Sequence, residues 1–179
     1  MRCGRRALGS VIAVVVSFGA ATVHAQDSSW RDVSLTVGRV DYDLSGVGHA
    51  SGVAVRTTRD FTPHVSLELR GLFARPCQQF QSCENVGPAS LLVPEAQLQY
   101  RWNTGRLAPF VGAGLGMSAL KSSFDTKWDP TIAFSAGSGV RLTNRLTLTG
   151  EFRLRGHEFG FTGTSSEINA GLSWRLPVS

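Results

Sequence analysis

From residue 32 to the end of the chain, apolar and polar residues alternate with a period of two, and no segment carries the 3.6-residue period of an amphipathic helix. The last segment is the clearest: Ile168, Ala170, Leu172, Trp174 and Leu176 share one face, against Glu167, Asn169, Gly171, Ser173 and Arg175. Before it, Leu146, Leu148, Phe152 and Leu154 alternate with Thr147, Thr149, Glu151, Arg153 and Arg155. Further back, Ile132, Phe134 and Ala136 oppose Ser135, Gly137, Gly139 and Arg141, and Val111, Ala113, Leu115 and Met117 oppose Gly112, Gly114, Gly116 and Ser118. Leu92, Ala96, Leu98, Tyr100 and Trp102 oppose Glu95, Gln97, Gln99 and Arg101; Val65, Leu67, Leu69 and Phe73 oppose Ser66, Glu68 and Arg70; Val53 and Val55 oppose Ala54, Arg56 and Thr58. The first segment is apolar at Val33, Leu35 and Val37, then at Val40, Tyr42 and Leu44, a change of phase that predicts a bulge near Gly38. Pro94 fits a strand only near its start. The pattern predicts eight strands.

The connections between these strands alternate in length. The second, fourth and sixth are short (Asp60 to His64, Asn103 to Arg106, Thr143 to Arg145), whereas the third, fifth and seventh are longer (Arg75 to Ser90, Lys121 to Pro130, Gly156 to Ser165) and the first is intermediate. In an up-and-down meander, odd and even connections lie at opposite ends. Short turns on one rim and long loops on the other predict an all-β, eight-stranded antiparallel up-and-down transmembrane β-barrel with its loops outside the cell.

The first 25 residues fall outside this pattern. Arg2, Arg5 and Arg6 precede an apolar core from Ala7 to Ala20, and Val23-His24-Ala25 supplies a small-x-small cleavage site. These features predict a cleaved signal peptide over 1–25 and a barrel domain over 26–179. Removal of three arginines lowers the formal charge from +5 to +2, which removes the basicity argument for nucleic acid as a partner. Beyond the leader, no stretch approaches the roughly 18 apolar residues that a membrane helix needs.

Alternation alone does not say which face meets lipid. The polar faces are unlike a water-exposed surface: glycines crowd two of them, and arginine and glutamate recur together. A narrow lumen needs small residues for space and paired charges for neutrality. The inward phase assigns Arg39, Arg56, Arg70, Arg101, Arg141, Arg153, Arg155 and Arg175 to the interior with Asp41, Glu68, Glu95, Glu151 and Glu167, and places Arg155 opposite Glu167 across the last hairpin. Trp30, Phe61, Tyr100, Trp102 and Trp174 gather at the short-turn rim, where an interfacial aromatic belt is expected. Ten tilted residues cover about 26 Å, the height of the apolar band of such barrels.

Candidate chemistry is sparse. Cys77 and Cys83, in one predicted outer loop of an exported chain, predict a disulfide; closing that ring contributes roughly 2 kcal/mol. The histidines have no metal-motif spacing around these cysteines, and no metal or cofactor is expected. Gly112-x-Gly114-x-Gly116 lacks the helix and the glycine spacing of a dinucleotide loop.

The run Pro109-Phe110-Val111-Gly112-Ala113-Gly114-Leu115-Gly116-Met117-Ser118 resembles a strand signature of the small outer-membrane β-barrel family that includes OmpA-like and OmpX-like membrane domains and the opacity-like porins. Asn169-x-Gly171-x-x-Trp174-x-Leu176 resembles the C-terminal signal read by the barrel-assembly machinery. The resemblance implies an integral outer-membrane protein in contact with outer-membrane lipid, inserted by that machinery and monomeric. Its expected role is non-enzymatic: a closed, charge-paired barrel that structures the membrane or presents loops for adhesion. Two alternatives remain, a small channel and an enzyme similar to lipid A deacylases. For the latter, His157, Ser165, Ser166 and Glu167 are nearby, but Phe159 stands where that family's serine is expected and His157 continues the inward row.

Overall fold

The computed structural model describes residues 30–42, 50–75, 90–102, 104–121, 126–157 and 163–176. They form β1 (Trp30–Tyr42), β2 (Ala50–Asp60), β3 (Val65–Ala74), β4 (Ser90–Arg101), β5 (Leu107–Lys121), β6 (Thr126–Arg141), β7 (Leu146–His157) and β8 (Thr164–Arg175). Each strand pairs antiparallel with the next, and β8 closes on β1. Closure leaves no sheet edge, so every strand has two backbone partners, as a lipid environment demands.

The apolar face of each ladder points outward. Leu35, Leu98, Leu115, Phe134 and Ile168 are exposed on the outside, while Glu68, Gln97, Arg153, Arg155 and Glu167 are among the most buried side chains. This inversion is the arrangement of a membrane barrel, in which lipid takes the place of a protein core.

Two of the short turns share one construction. Phe61 N–H donates to Val65 O (2.9 Å) and Leu142 N–H to Leu146 O (2.9 Å). In each, the next residue is a threonine whose hydroxyl accepts two further backbone N–H groups: Thr62 from His64 and Val65, Thr143 from Arg145 and Leu146. Such side-chain capping lets a tight turn satisfy its own donors. The turn after β4 instead uses Gly105 at φ 75°, a left-handed conformation that glycine adopts freely.

Three expectations are corrected. First, β1 has no bulge at Gly38: its ladder with β8 runs unbroken through Val37↔Ala170, Gly38↔Asn169, Arg39↔Ile168 and Val40↔Glu167, and its irregularity lies between Trp30 and Asp32. Val40 therefore points inward, because an apolar cluster inside the barrel receives it, and Arg39 and Asp41 point outward, where they pair at 3.3 Å. Second, Pro94 sits in the middle of β4. It faces outward, and the β4–β5 pairing skips Val93 and Pro94 without changing register, as a residue lacking an N–H requires. Third, the fifth connection is short, since the β5–β6 ladder continues to Lys121↔Thr126.

Candidate functional site: the filled lumen

The centre of the lumen is a lattice of four arginines (Arg56, Arg70, Arg153, Arg155) and four glutamates (Glu68, Glu95, Glu151, Glu167), all essentially buried. They come from β2, β3, β4, β7 and β8. The glycine-rich walls of β5 and β6 leave the space: a Cβ on Gly112 would lie 2.5 Å from Gln97 Nε2, and one on Gly137 would lie 2.5 Å from the Phe110 ring.

Arg153 is the hub. Its guanidinium donates to Glu151 Oε1 (2.6 Å), Glu68 Oε1 (2.7 Å) and Glu95 Oε1. Arg155 donates to Glu95 Oε2 (2.8 Å) and to Glu167 Oε1, while Arg70 donates to the other oxygen of Glu167 (2.8 Å). Arg56 reaches across to Glu151 Oε2 (2.7 Å) and more distantly to Glu68 (3.4 Å). Amides complete the lattice: Gln99 donates to Glu68 (2.8 Å), Asn169 to Glu167 (3.3 Å) and Gln97 to Ser135 Oγ (2.6 Å). Equal numbers of opposite charges, multiply hydrogen-bonded, are the condition under which buried ions are tolerable.

Of the thirteen charged residues assigned to the interior, Arg39 and Asp41 face outward and the other eleven divide into two groups. Eight make the lattice. Arg101 and Arg175 lie apart at the short-turn mouth, around Asp32, at 4.0 and 3.6 Å. Arg141 also lines this mouth. The last hairpin is offset by one inward position from expectation: Arg155 faces Ser165, and Glu167 faces Arg153.

Toward the loop end the lumen changes character. Val40, Ala50, Ala54, Leu72, Ala74, Leu91 and Val93 form an apolar cluster on the β1–β4 side, with Leu120 packed against it. On the opposite wall, Ser118 Oγ lies 3.4 Å from His157 Nδ1, and Ser165 Oγ lies 3.4 Å from His157 Nε2. His157 faces inward, and Glu167 is engaged by Arg155, Arg70 and Asn169. The deacylase-like set is thus not assembled toward lipid. Among the described residues, no group of three His, Cys, Asp or Glu is placed to hold a metal.

At the short-turn rim, Phe61, Tyr100, Trp102 and Trp174 are exposed outward. Tyr100 stacks on His64 at 5.8 Å and meets Trp102 edge-on at 5.0 Å. Trp30 opens β1 at the same rim, with its side chain outside the described residues, as are Cys77 and Cys83. Trp128, exposed near the opposite rim, supplies an aromatic that the sequence reading did not assign. Asp32 and the inward apolar cluster were also missed. Leu91-Leu92-Val93 and Leu72-Phe73, where apolar residues run consecutively, are the sequence signal of strands apolar on both faces.

A family model described as an outer membrane protein β-barrel domain matches residues 10–175. The chain belongs to this family. Outer-membrane location and contact with outer-membrane lipid follow from that membership. Solved structures agree in fold at low identity. The chain is similar to neisserial surface protein A (12% identity, TM-score 0.67, covering 84% of this chain and 100% of that one). It is similar to the N-terminal β-barrel domain of Pseudomonas aeruginosa OprF (15%, 0.55, covering 81% and 97%) and to Ail, the attachment invasion locus protein of Yersinia pestis (14%, 0.50, covering 82% and 96%). A search of curated proteins gave no match.

Proposed function

We propose that this outer-membrane barrel is a closed, non-enzymatic anchor whose role is to structure the membrane and to present its long connections, around 76–89 above all, to adhesive or interacting partners outside the cell. The reading rests on one observation: Arg153 on β7 is ion-paired across the lumen with Glu68 on β3 and Glu95 on β4, and beside it with Glu151. Opening a path there would separate buried ion pairs, each of which costs several kcal/mol to break. Eight strands enclose an interior that side chains can fill, unlike the open channels of sixteen-stranded porins.

In this reading the first 25 residues are removed on export, the assembly machinery inserts the barrel, and it stays monomeric. The attachment role named for Ail is compatible with the same eight-stranded frame, since the loops rather than the strands would carry it. The test is planar-bilayer recording of the purified protein. The expected result is the absence of stable single-channel steps, and reproducible large steps would replace this reading with a pore. Surface proteolysis of intact cells should cut around 76–89, and deletion of 77–83 should remove that cleavage while leaving insertion and heat-modifiable gel mobility intact.

A further inference from the structure

The short-turn mouth of the barrel, which faces the periplasm, contains a recess of about 80 Å³. Four arginines from outside the central lattice line it: Arg101, Arg106, Arg141 and Arg175. Arg56 and Phe110 are also among its lining residues, but Arg56 is already committed to Glu151 and Glu68. From the surface of this recess we infer that the periplasmic mouth is a binding site for a multivalent oxyanion of the phosphate class.

The first argument is charge. The central lattice is neutral within itself, and the two of its members that act on Arg101, Glu68 and Arg56, do so in opposite senses. Against the four arginines stand Asp32 inside the recess and Asp60 close enough to act on both Asp32 and Arg101. Among the described residues the balance is two unmatched positive charges, which a dianion would neutralise. The second is partner status. Arg106 and Arg141 have no side-chain hydrogen bond or ion pair among the described residues, whereas every lattice arginine has at least one close carboxylate. The third is geometry. Asp32 stands 3.6 Å from Arg175 and 4.0 Å from Arg101, longer than close ion-pair hydrogen bonds. Arg101 donates Nε and Nη2 to Gln99 Oε1 (3.3 and 2.9 Å), but its Nη1, like the Arg175 guanidinium, keeps donors for a second acceptor. Hydroxyls on the walls, Ser173, Thr147 and Thr149, add neutral donors around the same space, while Ser34 donates to Ser173 (2.8 Å).

Planar guanidiniums converging on a small, hydroxyl-lined recess match the tetrahedral oxygens of phosphate better than a single carboxylate. The phosphate could belong to a soluble periplasmic ester or to an inner-leaflet lipid headgroup bent over the rim.

The experiment titrates pyrophosphate into the protein in phosphatidylcholine nanodiscs at fixed ionic strength, by calorimetry, and repeats the titration in phosphatidylglycerol nanodiscs. Saturable binding by wild type, weakened about 10-fold or more in R106Q/R141Q, is expected, the scale of losing charged hydrogen bonds. Neither residue has a side-chain partner among the described residues, so the double variant should retain wild-type heat-modifiable mobility; R106Q alone, in an exposed turn, serves if it does not. Loss of pyrophosphate binding only in phosphatidylglycerol assigns the site to a lipid headgroup, and binding in both assigns it to a soluble anion. No saturable binding in phosphatidylcholine, or equal affinity of wild type and variants, overturns the proposal.

Discussion

Arg155 and Glu167 bond diagonally across the final hairpin: the backbone partner of Arg155 is Ser165, that of Glu167 is Arg153, and the two side chains still meet. Glu167 also holds Arg70 from the far wall, so one carboxylate ties β3, β7 and β8 together. Glu167→Ala would leave two buried guanidiniums short of a counter-charge. The expected loss is about 3–5 kcal/mol of stability, read from the urea midpoint of the folded, heat-modifiable band. By contrast Arg39→Ala, which removes an exposed pair with Asp41, should shift stability by less than about 1 kcal/mol.

Space is as tightly assigned as charge on the glycine-rich walls. A Cβ at Gly112 would sit 2.5 Å from the Gln97 amide and 3.0 Å from Leu98 O, whereas one at Gly150 meets nothing within 4 Å. Gly112→Val should cost about 1–3 kcal/mol and disturb the Gln97–Ser135 bond. Gly150→Ala, on the lipid side, should be neutral or slightly stabilising. Paired thermal melts in one detergent would separate the two, and equal effects would contradict the assigned faces.

The apolar cluster near the loop end makes a third prediction. Leu72 is fully buried inside the barrel, while Leu69 points to lipid. Leu72→Ala should cost about 2–5 kcal/mol, because the cavity it leaves is enclosed by Val40, Ala54 and Val93. Leu69→Ala should cost less, since lipid fills the space. Comparable losses at both positions in urea titrations would argue against a closed apolar layer.

Cys77 and Cys83 are expected to be bonded to each other in the exported protein. Thiol reagents applied to intact cells without reductant should modify neither; efficient labelling of both would refute the pairing.

The barrel was legible because its signal is period two, repeated eight times, with the second, fourth and sixth connections short. Lumen charges were legible where they fill the polar half of that period, as at Glu68, Arg70, Glu151 and Arg153. The misreadings occur where the inward row turns apolar. Val40 looked like a change of phase because an apolar side chain was expected to meet lipid, so Arg39 and Asp41 were assigned to the wrong face. The register of the last hairpin depends on where its loop turns, and alternation fixes only parity, which an offset of one inward position preserves. Asp32 was hidden at the start of β1, where no repeat length identifies its neighbours.

The lattice bonds that cross the lumen, Arg56 to Glu151, Arg70 to Glu167 and Arg153 to Glu68, join residues 95, 97 and 85 positions apart. None of them can exist in an open sheet. A partly inserted chain therefore exposes ions that have nowhere to go until the first and last strands meet, and the energy of pairing arrives at closure. The barrel is fastened from within, so its seam is held by the opposite wall as much as by its own ladder, and lateral parting at any one strand boundary is opposed by strands that do not border it.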